Sequence, residues 1–110
     1  MRTKEIAAVL AELGNETRLS LFELLVRAGP PGLSVGEIQR ELQIHASTLA
    51  FHLRGLAQVG LVEQERQGRM VICRARLDVL NDAMDYIRNE CCRGQRTLAA
   101  PEAGARLGGA

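Results

Sequence analysis

Residues 34–76 constrain the fold more than any other part of the chain, because two short amphipathic segments are followed at once by a pair of strand-like runs around a glycine. The second segment is Ala46-Ser47-Thr48-Leu49-Ala50-Phe51-His52-Leu53-Arg54-Gly55-Leu56. On a helix of about 3.6 residues per turn, Leu49, Leu53 and Leu56 fall on one stripe, and Ser47, Phe51, Arg54 and Gln58 fall roughly opposite. One face is suited to burial and the other to contact. Upstream, Ser34-Val35-Gly36-Glu37 has the form of a capping box, in which the serine oxygen and the glutamate carboxylate satisfy free backbone N–H groups. Val35, Ile38 and Leu42 give that first helix its own buried side. Only Gln43-Ile44-His45 separates the two helices, a connection short enough to cross them sharply, as in a helix-turn-helix.

After Gly60 the period changes. Leu61-Val62-Glu63-Gln64-Glu65-Arg66 and Met70-Val71-Ile72-Cys73-Arg74-Ala75 flank Gln67-Gly68-Arg69, which reads as a two-stranded hairpin with glycine supplying the turn. A basic hairpin directly after a docking helix is a wing, and Arg66 and Arg69 near its tip are placed to reach phosphates or a minor groove. The chain carries a formal charge of only +1, yet between residues 40 and 76 six arginines (40, 54, 66, 69, 74 and 76) face only Glu41, Glu63 and Glu65. The positive field therefore sits where the docking helix is.

The remaining segments supply a frame. A helix is expected over Thr3–Leu13, with Ile6, Val9, Leu10 and Leu13 on one face and Gly14 as its stop; a second follows the cap residue Asn15 and buries Leu21, Leu24, Leu25 and Ala28. Gly29-Pro30-Pro31-Gly32 breaks the chain before the helix-turn-helix. The last helix is expected over residues 77–92, where Leu77, Leu80, Met84, Ile87 and Cys91 form a narrow heptad-like seam, the pattern of a helix packing on a partner helix. The fold class is thus mainly α with a small β-hairpin wing: a winged helix-turn-helix of about five helices, homodimeric through its first and last helices. Residues 1–94 make the DNA-binding and dimerisation domain, and residues 95–110, rich in Ala, Gly and Arg and without periodicity, make a disordered tail.

At 110 residues a single domain can bury a usable core without metal or disulfide, and with one Tyr, two Phe and no Trp that core is aliphatic. No apolar run approaches the roughly 20 residues of a membrane span, and the N-terminus lacks a signal-peptide core, so the chain is read as cytoplasmic with no membrane partner. Three cysteines, two of them adjacent, make no secreted disulfide framework; in a reducing compartment they are free thiols or soft-metal ligands. Neither a phosphate-cradling glycine loop nor a nucleophile–base pairing is present, so no enzyme is expected.

These motifs together resemble the ArsR/SmtB family of winged-helix metalloregulatory repressors. The resemblance covers residues 6–94 and rests on Asn15-Glu16-Thr17-Arg18-Leu19, the helix from Ser47 to Leu56, Gly60-Leu61-Val62 and Gln67-Gly68-Arg69. It implies a homodimer that binds an inverted-repeat operator in double-stranded DNA, represses a promoter and lets go when an inducer binds. The DNA-binding set it implies is Ser47, Thr48, Ala50, Phe51, His52 and Arg54 on the docking helix, with Arg66 and Arg69 on the wing. For His52, beside the buried stripe, a structural or phosphate-contact role is favoured over metal ligation. Two departures stand out: His45 occupies a position where the family often has a small capping residue, and Ala50 one where it often has serine. The second removes a polar reader, although an alanine can still meet a thymine methyl.

Cys91-Cys92-Arg93-Gly94 resembles the Cys-Cys-x-Gly ending of arsenic-responsive members. Trivalent arsenic and antimony are thiophilic, and an adjacent dithiol offers two sulfurs. No resident cofactor is expected, and the inducer that the resemblance implies is As(III), Sb(III) or methylarsenite. Arsenite sites usually have a third sulfur, and residues 95–110 hold none, which leaves three readings open: Cys73 completes the site, the dithiol alone binds a monomethylated arsenical, or the pair is a redox or persulfide sensor. Cys91 on the seam and Cys73 on its strand also suit plain packing roles. Other sites of the family are not supported, because the start of the third helix has no thiol, and Asp78, Asp82 and Asp85 on the last helix lack a histidine partner for zinc. A winged-helix module that binds protein rather than DNA is the remaining alternative; Arg54, Arg66 and Arg69 weigh against it.

Overall fold

The structure is a computed structural model, and it describes residues 1–94. Five helices and three short strands follow one another as α1 (Thr3–Leu13), α2 (Glu16–Ala28), β1 (Leu33–Ser34), α3 (Val35–Leu42), α4 (Ala46–Gln58), β2 (Val62–Gln67), β3 (Met70–Ala75) and α5 (Leu77–Asn89). This is the winged helix-turn-helix that the sequence pattern predicts. The expected tail, residues 95–110, lies outside the described residues.

Local chemistry sets most element boundaries. At the start of α1 the backbone N–H of Arg2 donates to Glu5 Oε1 at 2.7 Å. Asn15 caps α2 by accepting from the Arg18 N–H at 3.1 Å. The capping box at α3 is present in both directions: Glu37 N–H donates to Ser34 Oγ at 3.1 Å, and Ser34 N–H donates to Glu37 Oε1 at 2.8 Å. Those two bonds favour the ionised carboxylate and hold the Glu37 pKa below its ordinary value. Gln43, in the left-handed region at φ 53°, ends α3 and turns the chain toward α4.

The sheet is antiparallel with strand order β1-β3-β2. The wing turn is tighter than the expected three residues: Gln67 pairs with Met70, leaving only Gly68 and Arg69 in the loop. Gly68 has φ 64°, which the first central position of a type II′ hairpin turn requires. The short strand β1, unforeseen in the sequence, pairs Leu33 with Cys73 and Ser34 with Ile72, so the wing is tied to the start of α3.

Every helix and the base of the wing feed one core. Ile6 and Val9 of α1, Leu21, Phe22 and Leu25 of α2, Ile38 of α3, and Leu49, Leu53 and Leu56 of α4 meet Leu61, Val62, Cys73 and Ala83. Each large aliphatic side chain sealed in this way contributes roughly 1.5–3 kcal/mol. The final helix departs from the expected span of residues 77–92 by ending at Asn89. Glu90 N–H bonds to Ile87 O and Cys91 N–H to Arg88 O, three residues back, tightening the last turn, and Cys92 then takes φ 67°. Cys91 and Cys92 therefore sit in the turn after α5 rather than on it.

Candidate nucleic-acid interface and thiol pair

Helix α4 is two-sided, as its periodicity requires. Leu49, Leu53 and Leu56 are buried, while Ser47, Thr48, Ala50, Phe51, Arg54 and Gln58 are exposed along the opposite face. Phe51 is 56% exposed, a costly placement for an aromatic ring unless something else covers it. At the N-terminus His45 has the extended backbone of a cap residue, but its side chain makes no capping bond to the first backbone N–H groups of α4.

His52 moves out of the DNA-facing set: only 8% of it is exposed, and it is buried on α4 as Leu49, Leu53 and Leu56 are, which fits the structural role left open for it and not a phosphate contact. Its ring meets Phe51 edge-on, centroids 5.5 Å apart, and its Nδ1 has no hydrogen-bond partner among the described residues. Burial pushes its pKa down, and the Arg18 guanidinium pushes it the same way against a weaker opposing effect of Glu12. The imidazole is accordingly a neutral core group.

The six arginines of the basic stretch divide into two sets. Arg74 donates to Pro30 O and to Glu65 Oε1, both at 2.7 Å, and Arg76 donates through two nitrogens to the Asp78 carboxylate at 3.1 and 2.9 Å. These two brace the wing against the α2–β1 loop and the start of α5, and their charge is locally offset. Arg66 and Arg69 are exposed on β2 and in the wing turn, and Arg40 and Arg54 are exposed on α3 and α4. Neither Arg40, Arg54, Arg66 nor Arg69 forms an ion pair among the described residues. Two cations on the wing and one on α4, with no ion pair among the described residues, supply positive charge suited to a phosphate backbone.

The three cysteines fall into contrasting surroundings. Cys73 is fully buried on β3; burial pushes its thiol pKa up, partly offset by the Gln64 amide that reaches its sulfur at 3.8 Å. Cys91 and Cys92 are exposed, with their Sγ atoms 3.1 Å apart. The Cys92 thiol is held above its ordinary value by sharing a hydrogen bond with Cys91 and by repulsion from it. Among the described residues of one chain, no cluster of three His, Cys, Asp or Glu side chains is assembled, so Cys73 does not join the pair within a subunit.

Residues 13–65 match a helix-turn-helix domain family model. The solved structure of an ArsR-like transcriptional regulator from Rhodococcus sp. RHA1 superposes with a TM-score of 0.76 at 30% identity, covering 93% of this chain and 93% of that one. The chain belongs to the ArsR family of transcriptional regulators. Other relatives are transcriptional regulators or DNA-binding domains as well. The HTH-type transcriptional regulator YgaV of Escherichia coli K12 is 26% identical over 81% of this chain and 88% of its own length. The homodimeric winged helix-turn-helix DNA-binding domain of Mb0332 from Mycobacterium bovis, a possible ArsR-family regulator, is 27% identical with a TM-score of 0.64, over 79% of this chain and 81% of that one. As an ArsR-family helix-turn-helix protein the chain is a DNA-binding transcriptional regulator, and no helix among its described residues is long and apolar enough to cross a membrane.

Two features of the surface were not visible in the sequence. The bracing role of Arg74 depends on a carbonyl 44 residues away, and no local pattern announces it. Behind α4, Glu12 and Arg18 form an ion pair at 3.1 Å, both largely covered; their spacing across a helix break hides the pairing.

Proposed function

We propose that the protein is a homodimeric repressor whose α4 and wing hold an inverted-repeat operator, and which releases it when a trivalent arsenical or antimonite binds Cys91 and Cys92. The observation that carries the ligand assignment is the exposed thiol pair, sulfurs 3.1 Å apart, on the turn that ends α5. Two sulfurs and a buried third cysteine suit a monomethylated trivalent arsenical best, since it takes two: each thiol proton leaves with an arsenic-bound hydroxide as water while an As–S bond forms. Arsenite or antimonite needs a third donor from another subunit or from solvent.

Support for the dimer comes from α5 itself. Leu77, Met84 and Ile87 are 44%, 41% and 47% exposed, so this part of the heptad seam is left open among the described residues, and Leu10 on α1 is 40% exposed as well. A second copy packed on these helices would bury that surface and set two α4 helices about 34 Å apart, one turn of duplex. Since the thiol turn leads directly out of α5, closing a ring through both sulfurs constrains the end of the dimer helix. Ligand that prefers the DNA-free arrangement by about 1–3 kcal/mol weakens operator binding roughly 5- to 150-fold.

The deciding experiment titrates operator-bound protein with methylarsenite, arsenite, antimonite, zinc and hydrogen peroxide, beside a protein carrying Cys91→Ser and Cys92→Ser. Methylarsenite is expected to release the wild type and spare the double variant. Release of both proteins would sink the assignment. The short sulfur separation also favours a second reading, oxidation of the pair by peroxide or a persulfide; release by peroxide alone, reversed by a dithiol reductant, would replace the arsenical reading with that one.

A further inference from the structure

Behind the exposed face of α4 the packing is unusual. Gly55 lies against the Glu12 side chain of α1: a Cβ placed on Gly55 would be 3.1 Å from Glu12 Cδ and nearer still to Oε1. Glu12 accepts from Arg18 Nη1 at 3.1 Å, and the two side chains are only 23% and 19% exposed. Among the described residues the Arg18 Nε is buried without a partner, as is Nδ1 of His52, which lies one turn before Gly55 and senses the charges of both Arg18 and Glu12. Glu12, Arg18 and Gly55 form one side of a cleft of about 540 Å³ whose other walls include Phe51, Arg54 and Gln58. The ion pair thus lies directly behind the residues that face outward from α4.

We propose that Glu12, strapped by Arg18 into the slot that Gly55 leaves open, is a positioning residue that sets the orientation of α4 for DNA. Glycine inside a helix costs about 1 kcal/mol relative to alanine, so at this position it needs a compensating reason. The slot supplies it: only the absence of a side chain lets the carboxylate of α1 seat against the α4 backbone. A largely covered, charge-assisted contact is directional, whereas the leucine stripe beneath α4 tolerates small rotations. Neither Glu12 nor Gly55 belongs to the DNA-facing set; both act through α4. The proposal rests on the reading of α4 as the DNA-contacting helix.

The test is a double-mutant cycle on the full chain. Operator affinity, measured on a duplex from its own promoter region, is compared for Glu12→Ala, Gly55→Ala and the combination. Glu12→Ala is expected to weaken binding about tenfold, the scale of a lost charge-assisted hydrogen bond. Gly55→Ala should weaken it similarly despite raising helix propensity, and should have no further effect in the Glu12→Ala background, where its Cβ has room. The salt dependence of binding should not change in any variant, because no phosphate contact is lost. Glu12→Gln, which can still accept from Arg18, should recover most of the affinity. Amide hydrogen exchange over Ala46–Gln58 supplies a readout independent of DNA: it should quicken in Glu12→Ala and return toward wild type in Glu12→Gln. If Gly55→Ala binds as well as or better than wild type, or if its cost is the same with and without Glu12, the positioning role is refuted. Should Gly55→Ala fail to fold, Arg18→Gln takes its place, and unchanged affinity and exchange there would refute it equally. Failure of the wild type to bind any duplex, with exchange behaving as stated, would instead overturn the DNA reading of α4 and leave the packing role intact.

Discussion

Helices α4 and α5 are each 13 residues long and each carries apolar residues at helical spacing, yet the chain treats them differently. Around α4 the other elements close completely: Leu49 and Leu56 have no exposure, and Leu53 has 3%. Around α5 they do not, and Ala83 is its one buried residue while Leu77, Met84 and Ile87 remain open. Periodicity declares that a helix has an apolar face; it does not say which molecule will cover that face. A wide stripe served by α1, α2 and β2 is completed within the subunit, and a narrow seam with small contact to the core is left for another surface.

Truncating the closed helix should give the largest effect. Leu56→Ala removes a fully enclosed side chain and is expected to cost about 2–5 kcal/mol, independent of protein concentration, in denaturant unfolding. Ile87→Glu on the open helix should leave the subunit core intact and act on assembly instead. Buried twice in a symmetric dimer, the isoleucine contributes about 3 kcal/mol or more, so the dissociation constant should rise at least ~100-fold in sedimentation experiments. A concentration-independent loss of stability for Ile87→Glu, with unchanged mass, would erase the contrast between the two helices.

The outward face of α4 comes next. Arg54→Ala is expected to cost about 1–3 kcal/mol of operator affinity if the guanidinium reads a base edge, with relaxed sequence preference. Arg66→Ala and Arg69→Ala should weaken all duplexes alike and each reduce the salt slope by about 1. Arg74→Ala, although also an arginine of the wing, should leave that slope unchanged, since its charge is spent on Glu65 and Pro30; a reduced slope would place it on DNA instead.

The smallest effect is a pH dependence from the inward face. Folding lowers the His52 pKa, mainly by burial, so the unfolded chain binds its proton first as pH falls. The neutral ring costs nothing above the ordinary histidine value of about 6.5, and stability is lost as pH drops from there through the lowered folded value. One proton limits that slope to about 1.4 kcal/mol per pH unit. Thermal melts between pH 7.5 and 5 should show the decline, and His52→Gln should flatten it; an equal decline in the variant would assign it to other groups.

Much of this architecture is legible residue by residue. The leucine stripe of α4, the capping box at Ser34 and Glu37, the cap at Asn15 and the glycine of the wing turn are local signals, and each appears where the pattern puts it. His52 sits at the edge of the stripe, where about 100° per residue leaves burial and contact equally open, and only the packed structure buries it. The strand β1 leaves no signal in the sequence because two residues carry no alternation; pairing with β3 alone makes them a strand. The end of α5 is not marked locally because apolar spacing continues to Cys91 after the helical hydrogen bonding has tightened and stopped.

By itself the sequence determined the winged helix-turn-helix, its outward docking face and the presence of a vicinal thiol pair, because capping, turn chemistry and periodicity act over only a few residues. Tertiary structure decided the rest. It sealed Cys73 and left Cys91 and Cys92 open, offset the charge of Arg74 and Arg76 while leaving Arg54, Arg66 and Arg69 without an ion pair among the described residues, and seated Glu12 against Gly55. Those outcomes depend on burial and charge pairing between residues far apart in the chain, which exist only once the helices have packed.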